Sequence, residues 1–346
     1  MSNTSPRPMI IDCDTGRDDA LTLAVAVKQT AVQLVGVVTS YGNVPLKQVT
    51  ENTARVMALL GKEEIPIFPG AAQSSQPELA AELLAKRHAG MGNGLCNLEL
   101  PPTDRTLRPP MTPEILAGNL QKLAKQHGAL DYVIIGPATN FAAVADVLGA
   151  KLPQVVNSVT MMGGKLGKLW DEVPGGADFN IACDPKAAQR ALNAGVPARI
   201  VPMNVTWPIA LGVSELEALQ PVNKAGTFAK ELMLAQARHF APDQMFRFHD
   251  PSVLIAMSQP QGFKPETVSI GQVPGADFGR VRSQETGVPV QVYQSEPGQK
   301  AQFLAQMLPL IGIDASGLTQ QLQQQQGGPQ KRREVQIRPG NAAPTG

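Results

Sequence analysis

Net charge is almost absent from this chain: 30 Lys and Arg against 29 Asp and Glu leave +1 at pH 7. That balance removes any bulk electrostatic case for nucleic acid or an anionic membrane surface as partner. Cysteine is scarce as well. Cys13, Cys96 and Cys183 are odd in number and far apart, which argues against a disulfide framework and for a reducing, cytoplasmic setting. The opening residues Met1 to Pro8 are polar, with no apolar signal-peptide core, and no apolar run reaches membrane-spanning length. What is present is bulk: 346 residues, 43% of them hydrophobic, can bury one large α/β core or two smaller ones.

One stretch concentrates the chemistry. Met9-Ile10-Ile11 reads as a buried parallel strand and Ala20 to Val25 as the helix after it, with Asp12, Asp14, Asp18 and Asp19 between. Four acids thus fall at the carboxyl end of a strand and the first helical turn, where open α/β sheets place ligands. Packing them together is costly unless a cation neutralises them, and a hard divalent ion held by oxygens, Ca²⁺ or Mg²⁺, suits best. A favourable helix macrodipole accounts for Asp18 and Asp19 but leaves Asp12 and Asp14 unexplained. An EF-hand loop counted from Asp12 requires Glu at its twelfth position, where Leu23 stands. A haloacid dehalogenase-type phosphatase also opens with a strand and D-x-D, but wants Thr or Val where Gly16 sits.

Strand-like and helix-like segments then alternate, the pattern of a mostly parallel sheet flanked by helices. Strands are expected at Val32 to Thr39, Ile65 to Phe68, Leu130 to Ile135, Val159 to Met162 and Arg199 to Val205. Asn43, just past the second strand, is either a turn residue tolerating positive φ or a site ligand. Residues 70 to 110 break the rhythm. His88 to Leu95, with three glycines in five positions, reads as a loop covering a site, with His88 on its surface. Asp178 and Asn180, two apart, would share a side in extended chain, and Asp184-Pro185 and Thr112-Pro113 open helices. Asp250 is placed to cap the helix Ser252 to Met257, beside His249, and short antiparallel strands follow between Thr267 and Gln294. From Ser316 the chain turns Gln-, Gly- and Pro-rich, a composition that cannot bury a core and reads as a disordered tail over 316–346.

Taken together, D-C-D-T-G-R-D-D-A at 12–20, G-N at 42–43, G-P-A-T-N at 136–140, M-G-G at 162–164, D-F-N at 178–180 and H-D-P at 249–251 resemble the inosine–uridine-preferring nucleoside hydrolases. The resemblance implies one catalytic domain over 8–313 after a flexible 1–7, with a Rossmann-like core. It also implies a homodimer or homotetramer that cleaves small-molecule nucleosides to base and ribose. In it Asp14, Asp19, Asp250 and the backbone carbonyl of Thr139 would hold Ca²⁺, with Asp12 bracing the cluster and Asp14 as general base. Asp18, Asn43, Asp178, Asn180 and Asp250 would meet the ribose, Met162 would line its pocket, and His249 would protonate the departing base. The family pattern has Pro at Thr15, Glu at Asp178, and an Asn between Met162 and Asn180 that is not found here. Arg247, Phe248, His249 and Trp170 are open as base contacts. A Ca²⁺-dependent nucleoside-binding protein without turnover, and the phosphatase, are the alternatives.

Overall fold

The computed structural model describes residues 6–166, 177–272 and 278–318, with 320 and 322. Trp170, most of the 165–177 segment and all but the start of the 316–346 stretch lie outside the described residues.

Six strands run parallel: β1 (Arg7–Cys13), β2 (Val32–Thr39), β3 (Ile67–Pro69), β4 (Leu130–Ile134), β5 (Val156–Met162) and β6 (Ala198–Val201). Their order across the sheet is 6-5-4-1-2-3, so the winding direction reverses between β1 and β4. Carboxyl ends at such a reversal open a crevice in which α/β proteins bind ligands. Val288–Tyr293 joins parallel to β6, and Phe263–Ile270 and Val281–Ser283 continue outward antiparallel, so the C-terminal strands extend the same sheet to nine. Apolar residues cover both faces: Met9 and Ile11 face one packed layer and Ile10 the other. Burial on both sides explains why these strands read as continuous apolar runs.

Helices α1 (Arg17–Lys28), α2 (Leu46–Leu59), α3 (Pro77–Met91), α4 (Pro113–His127) and α5 (Thr139–Leu148) form the first half of the flanking layers. Thr112 caps α4 through its side-chain oxygen and Gly128 closes it at φ 97°, as the sequence signals. Three segments depart from expectation. His88 lies on α3, not in a loop; that helix buries only Ala80 and Met91, so it carries no apolar periodicity to read. The sixth strand stops at Val201 because Pro202 offers no N–H to a ladder, and Met203–Thr206 turns helical. Leu318 and Leu322, inside the stretch expected as tail, pack against the main core. A two-stranded ribbon, Ala210–Gly212 with Met245–Arg247, was not foreseen; it delivers the chain to His249.

Candidate active site

The acids assemble where β1 ends and α1 begins. Asp12, Asp14 and Asp19 are fully buried and Asp250 nearly so. Asp12, on β1, accepts hydrogen bonds from the Tyr132 hydroxyl and from Asn140 Nδ2, both at 2.9 Å. Asn140 in turn accepts from the Ala71 amide at 2.7 Å, so Asp12 ties the ends of β1, β3 and β4 together. Asp19 turns back over the α1 terminus, accepting from the Gly16 amide at 2.9 Å and the Asp14 amide at 3.2 Å. That closes one orphan helix donor, a capping role beside any ligand role.

Asp14 occupies a cradle lined by glycines. A Cβ on Gly42 would lie 2.0 Å from Asp14 Oδ2, and one on Gly136 would lie 2.9 Å from Oδ1. Gly42 also sits at φ +156°. Oδ2 accepts the Asn43 amide at 2.7 Å, whereas Oδ1 is buried with no hydrogen-bond partner among the described residues. An orphaned carboxylate oxygen in a dry setting costs the fold free energy unless a cation or water meets it. Asn43 keeps a negative φ, and its side chain donates to Asp19 Oδ2 at 3.2 Å; the left-handed turn residue is Gly42 instead.

Electrostatics point the same way. Burial lifts Asp12 and Asp14 from 3.8 to about 7, and lifts Asp19 and Asp250 well above the carboxylate range. For Asp250 the next causes are Asp18, Asp19 and Asp14, so its carboxyl faces the opening cluster across the whole length of the chain. Among the described residues, oxygens of Asp18, Asp19 and Asp250 lie within 4.8 Å of one another, a donor set of hard oxygens able to hold a metal ion. Asp18, expected on the ribose, offers one of these oxygens and also lines the cavity above them. Asp250 sits in the first turn of the helix His249–Met257 and is not its cap; Phe248 holds that position.

A small cavity opens over these acids, lined by Asp18, Asn43, Met162, Asp178, Asn180, His249 and Asp250, seven of the expected residues. Asn180 donates to the Ile135 carbonyl at 2.9 Å and to Met162 Sδ at 3.6 Å. Asp178 and Asn180 do not share an extended segment: Asp178 caps the short helix Phe179–Cys183 by accepting from the Ile181 amide at 3.2 Å, and it also accepts from the Gly164 amide. Thr139 opens α5 at the end of β4; its hydroxyl donates to buried Asp184 at 2.8 Å and meets the Tyr41 hydroxyl at 3.0 Å. Asp184 caps the helix Pro185–Leu192 and holds Ser75, pinning the entry to α3. His249 Nδ1 meets Thr206 Oγ1 at 2.7 Å, and its ring lies 5.8 Å from Trp207.

Four cavity residues escaped the sequence reading: Arg87, Ile135, Phe179 and Met203. Arg87 arrives on α3 with its guanidinium 3.8 Å above the Phe179 ring, close enough that its charge opposes the rise in the Asp14 pKa. No spacing in the sequence marks any of them. His88, one residue on, is half-buried with Nε2 3.0 Å from the Gly42 carbonyl, and burial lowers its pKa. Phe248 is fully buried, edge-on to Phe246 at 4.9 Å, and so is not a base contact; Arg247 faces the groove outside the cavity.

A mostly parallel sheet with an acid cluster at its topological switch point, beneath a small cavity lined by amides and carboxylates, defines an α/β enzyme-type site able to hold a cation. The chain belongs to the inosine-uridine preferring nucleoside hydrolase family, whose profile matches residues 9–317. It is therefore a ribonucleoside hydrolase, an enzyme that cleaves N-glycosidic bonds. It is 29% identical over 262 residues to the pyrimidine-specific ribonucleoside hydrolase RihA of Photobacterium profundum, covering 74% of this chain and 81% of that one. It is likewise 29% identical over 272 residues to the uncharacterized protein C1683.06c of Schizosaccharomyces pombe, covering 76% and 83%. In structure it resembles the plant nucleoside hydrolase PpNRh1 with TM-score 0.76 at 22% identity, over 89% of this chain and 99% of that one. A purine-preferring ribonucleoside hydrolase from Gardnerella vaginalis gives TM-score 0.70 at 22% identity, over 90% and 99%. No helix among the described residues is long and apolar enough to cross a membrane.

Proposed function

We propose that this hydrolase works with Ca²⁺ held by Asp14, Asp19, Asp250 and the Thr139 carbonyl, and with Asp14 as general base. The observation that carries the reading is Asp14 Oδ1: buried, without a donor among the described residues, and given its room by two glycines. Bound there, Ca²⁺ would position the attacking water and make it more acidic, less strongly than zinc would. Asp12, already braced by Tyr132 and Asn140, fixes the strand end from which Asp14 projects.

Breaking an N-glycosidic bond builds positive charge on the ribose, as in the oxocarbenium-like transition state of glycoside hydrolysis. Asp18, Asn43, Asp178, Asn180 and Asp250 surround the sugar with oxygens that favour that charge, and Met162 lines its apolar side. Asp14 takes the proton of the attacking water, a contribution of about 10²–10⁴-fold. Thr206 engages Nδ1 of His249, which orients Nε2 toward the leaving base as its proton donor. The reading carries with it a cytoplasmic setting, in keeping with three buried free thiols, and a homodimer or homotetramer, as the resemblance implies.

Ribose release from inosine, uridine and other nucleosides, measured after chelation and again after Ca²⁺ is restored, tests this. Loss on chelation and recovery with Ca²⁺ is the expected result. Tight nucleoside binding with no ribose released would instead make the chain a binding protein, and phosphate release from phosphomonoesters would return the phosphatase reading.

A further inference from the structure

Asp184 is a buried acid with no part in the chemistry above. It is fully enclosed, and its partners among the described residues are two hydroxyls and two amides, with no cation. Oδ2 accepts from the Thr139 hydroxyl at 2.8 Å and from the Ser75 amide at 2.7 Å. Oδ1 accepts from the Ser75 hydroxyl at 2.7 Å and from the Ala187 amide at 3.0 Å. Capping the helix Pro185–Leu192 uses only the last of these bonds; the other three reach across the fold. A carboxylate kept out of water by neutral donors alone is costly, and its charge-assisted bonds are about twice as strong as neutral ones. Such a group suits a place where partners must be held still.

What it holds is one wall of the cation site. Thr139 opens α5 just past the end of β4, and its hydroxyl is fixed from two sides, by Asp184 and by the Tyr41 hydroxyl at 3.0 Å. Because Thr139 donates to Asp184, its oxygen remains to accept from Tyr41, whose other acceptor, the Cys183 carbonyl, lies farther off at 3.5 Å. Tyr41 directly precedes Gly42 and Asn43, which shape the cradle of Asp14. The three side chains therefore tie the Asp14 loop to the start of α5, and none of them lines the cavity.

We infer that Asp184 is a positioning residue for the cation site, acting through the Thr139 hydroxyl to hold the Thr139 carbonyl in place. The inference rests on the reading that this carbonyl is a Ca²⁺ ligand. Partners that orient a ligand without touching the ion are worth about 10–100-fold in metal affinity.

Calorimetric titration of Ca²⁺ into chelator-stripped, full-length protein, paired with urea unfolding without metal, tests it. Thr139→Val keeps the shape and the carbonyl and loses only the hydroxyl. In Asp184→Asn the new side-chain NH2 faces a backbone N–H, of Ser75 or of Ala187, whichever way it turns. Both variants should raise the Ca²⁺ dissociation constant about tenfold or more. Ser75→Ala, which removes the 2.7 Å bond to Oδ1, should leave that constant within about twofold at a like cost in stability. Ribose release by Asp184→Asn should be slow at limiting Ca²⁺ and recover with excess, since a weakened site can still be filled. Thr139→Val binding Ca²⁺ as tightly as the unsubstituted chain, or affinity falling in step with stability across all three variants, overturns the inference. No Ca²⁺ binding by the unsubstituted chain refutes the metal reading beneath it.

Discussion

Stripping the site of cations should make the fold acid-loving. Burial raises Asp12 and Asp14 from 3.8 to about 7, so between those values the folded chain holds protons the unfolded chain has released. For these two groups stability falls as pH rises through that window and levels off beyond it, and Asp19 and Asp250, also lifted well above the carboxylate range, add to the fall. At about 1.36 kcal/mol per unit, one such group costs the metal-free fold about 4 kcal/mol by pH 7. For a chain of this size that is a drop of roughly 5–10 °C in Tm. A divalent cation binds only the ionised acids, so its stabilisation must grow across the same window. Calorimetry on chelator-treated protein at pH 5 and pH 8, with and without Ca²⁺, reads both slopes. A metal-free Tm that rises between those pH values, or a Ca²⁺ increment equal at both, would refute the reasoning.

Other perturbations separate the parts of the site. Asp14→Asn should cut ribose release by about 10²–10⁴-fold or more while raising the metal-free Tm at pH 8, because it removes one of the crowded charges. Gly42→Ala would set a methyl 2.0 Å from Asp14 Oδ2, so the carboxylate must leave its cradle and Ca²⁺ affinity by calorimetric titration should collapse. His249→Ala should slow inosine cleavage by about 10²–10⁴-fold but spare a riboside whose leaving group needs no proton, such as a nitrophenolate. Asp184→Ala leaves the Thr139 hydroxyl and the Ser75 and Ala187 amides without their acceptor, a loss of about 1–3 kcal/mol per orphaned group, visible in urea unfolding.

The parallel sheet was legible because each of its strands is buried on both faces and ends in punctuation: acids after β1, Gly42 after β2, Gly136 after β4, Gly163-Gly164 after β5. The motif residues Asp12, Asp14, Asp18, Asp19, Asn43, Asn180, His249 and Asp250 converge at those ends, since their positions follow from the topology. What escaped was decided by long-range geometry. Arg87 reaches the cavity because α3, an exposed helix without apolar rhythm, is pinned at its entry by Ser75 on Asp184. Asp178 and Asn180 were expected to share one side of extended chain, whereas a local helical turn engages Asp178 as a cap. The ribbon that delivers Arg247 is three residues per strand, too short for any alternation to register.

Because Asp19 comes from the first helix and Asp250 from one near the other end of the chain, the ion site exists only once nearly the whole polypeptide has closed upon itself. A cation captured there joins after the folding transition state, so it should leave the refolding rate alone and slow unfolding instead. Calcium would then act on this enzyme's lifetime as well as its chemistry, a latch thrown after the door has shut.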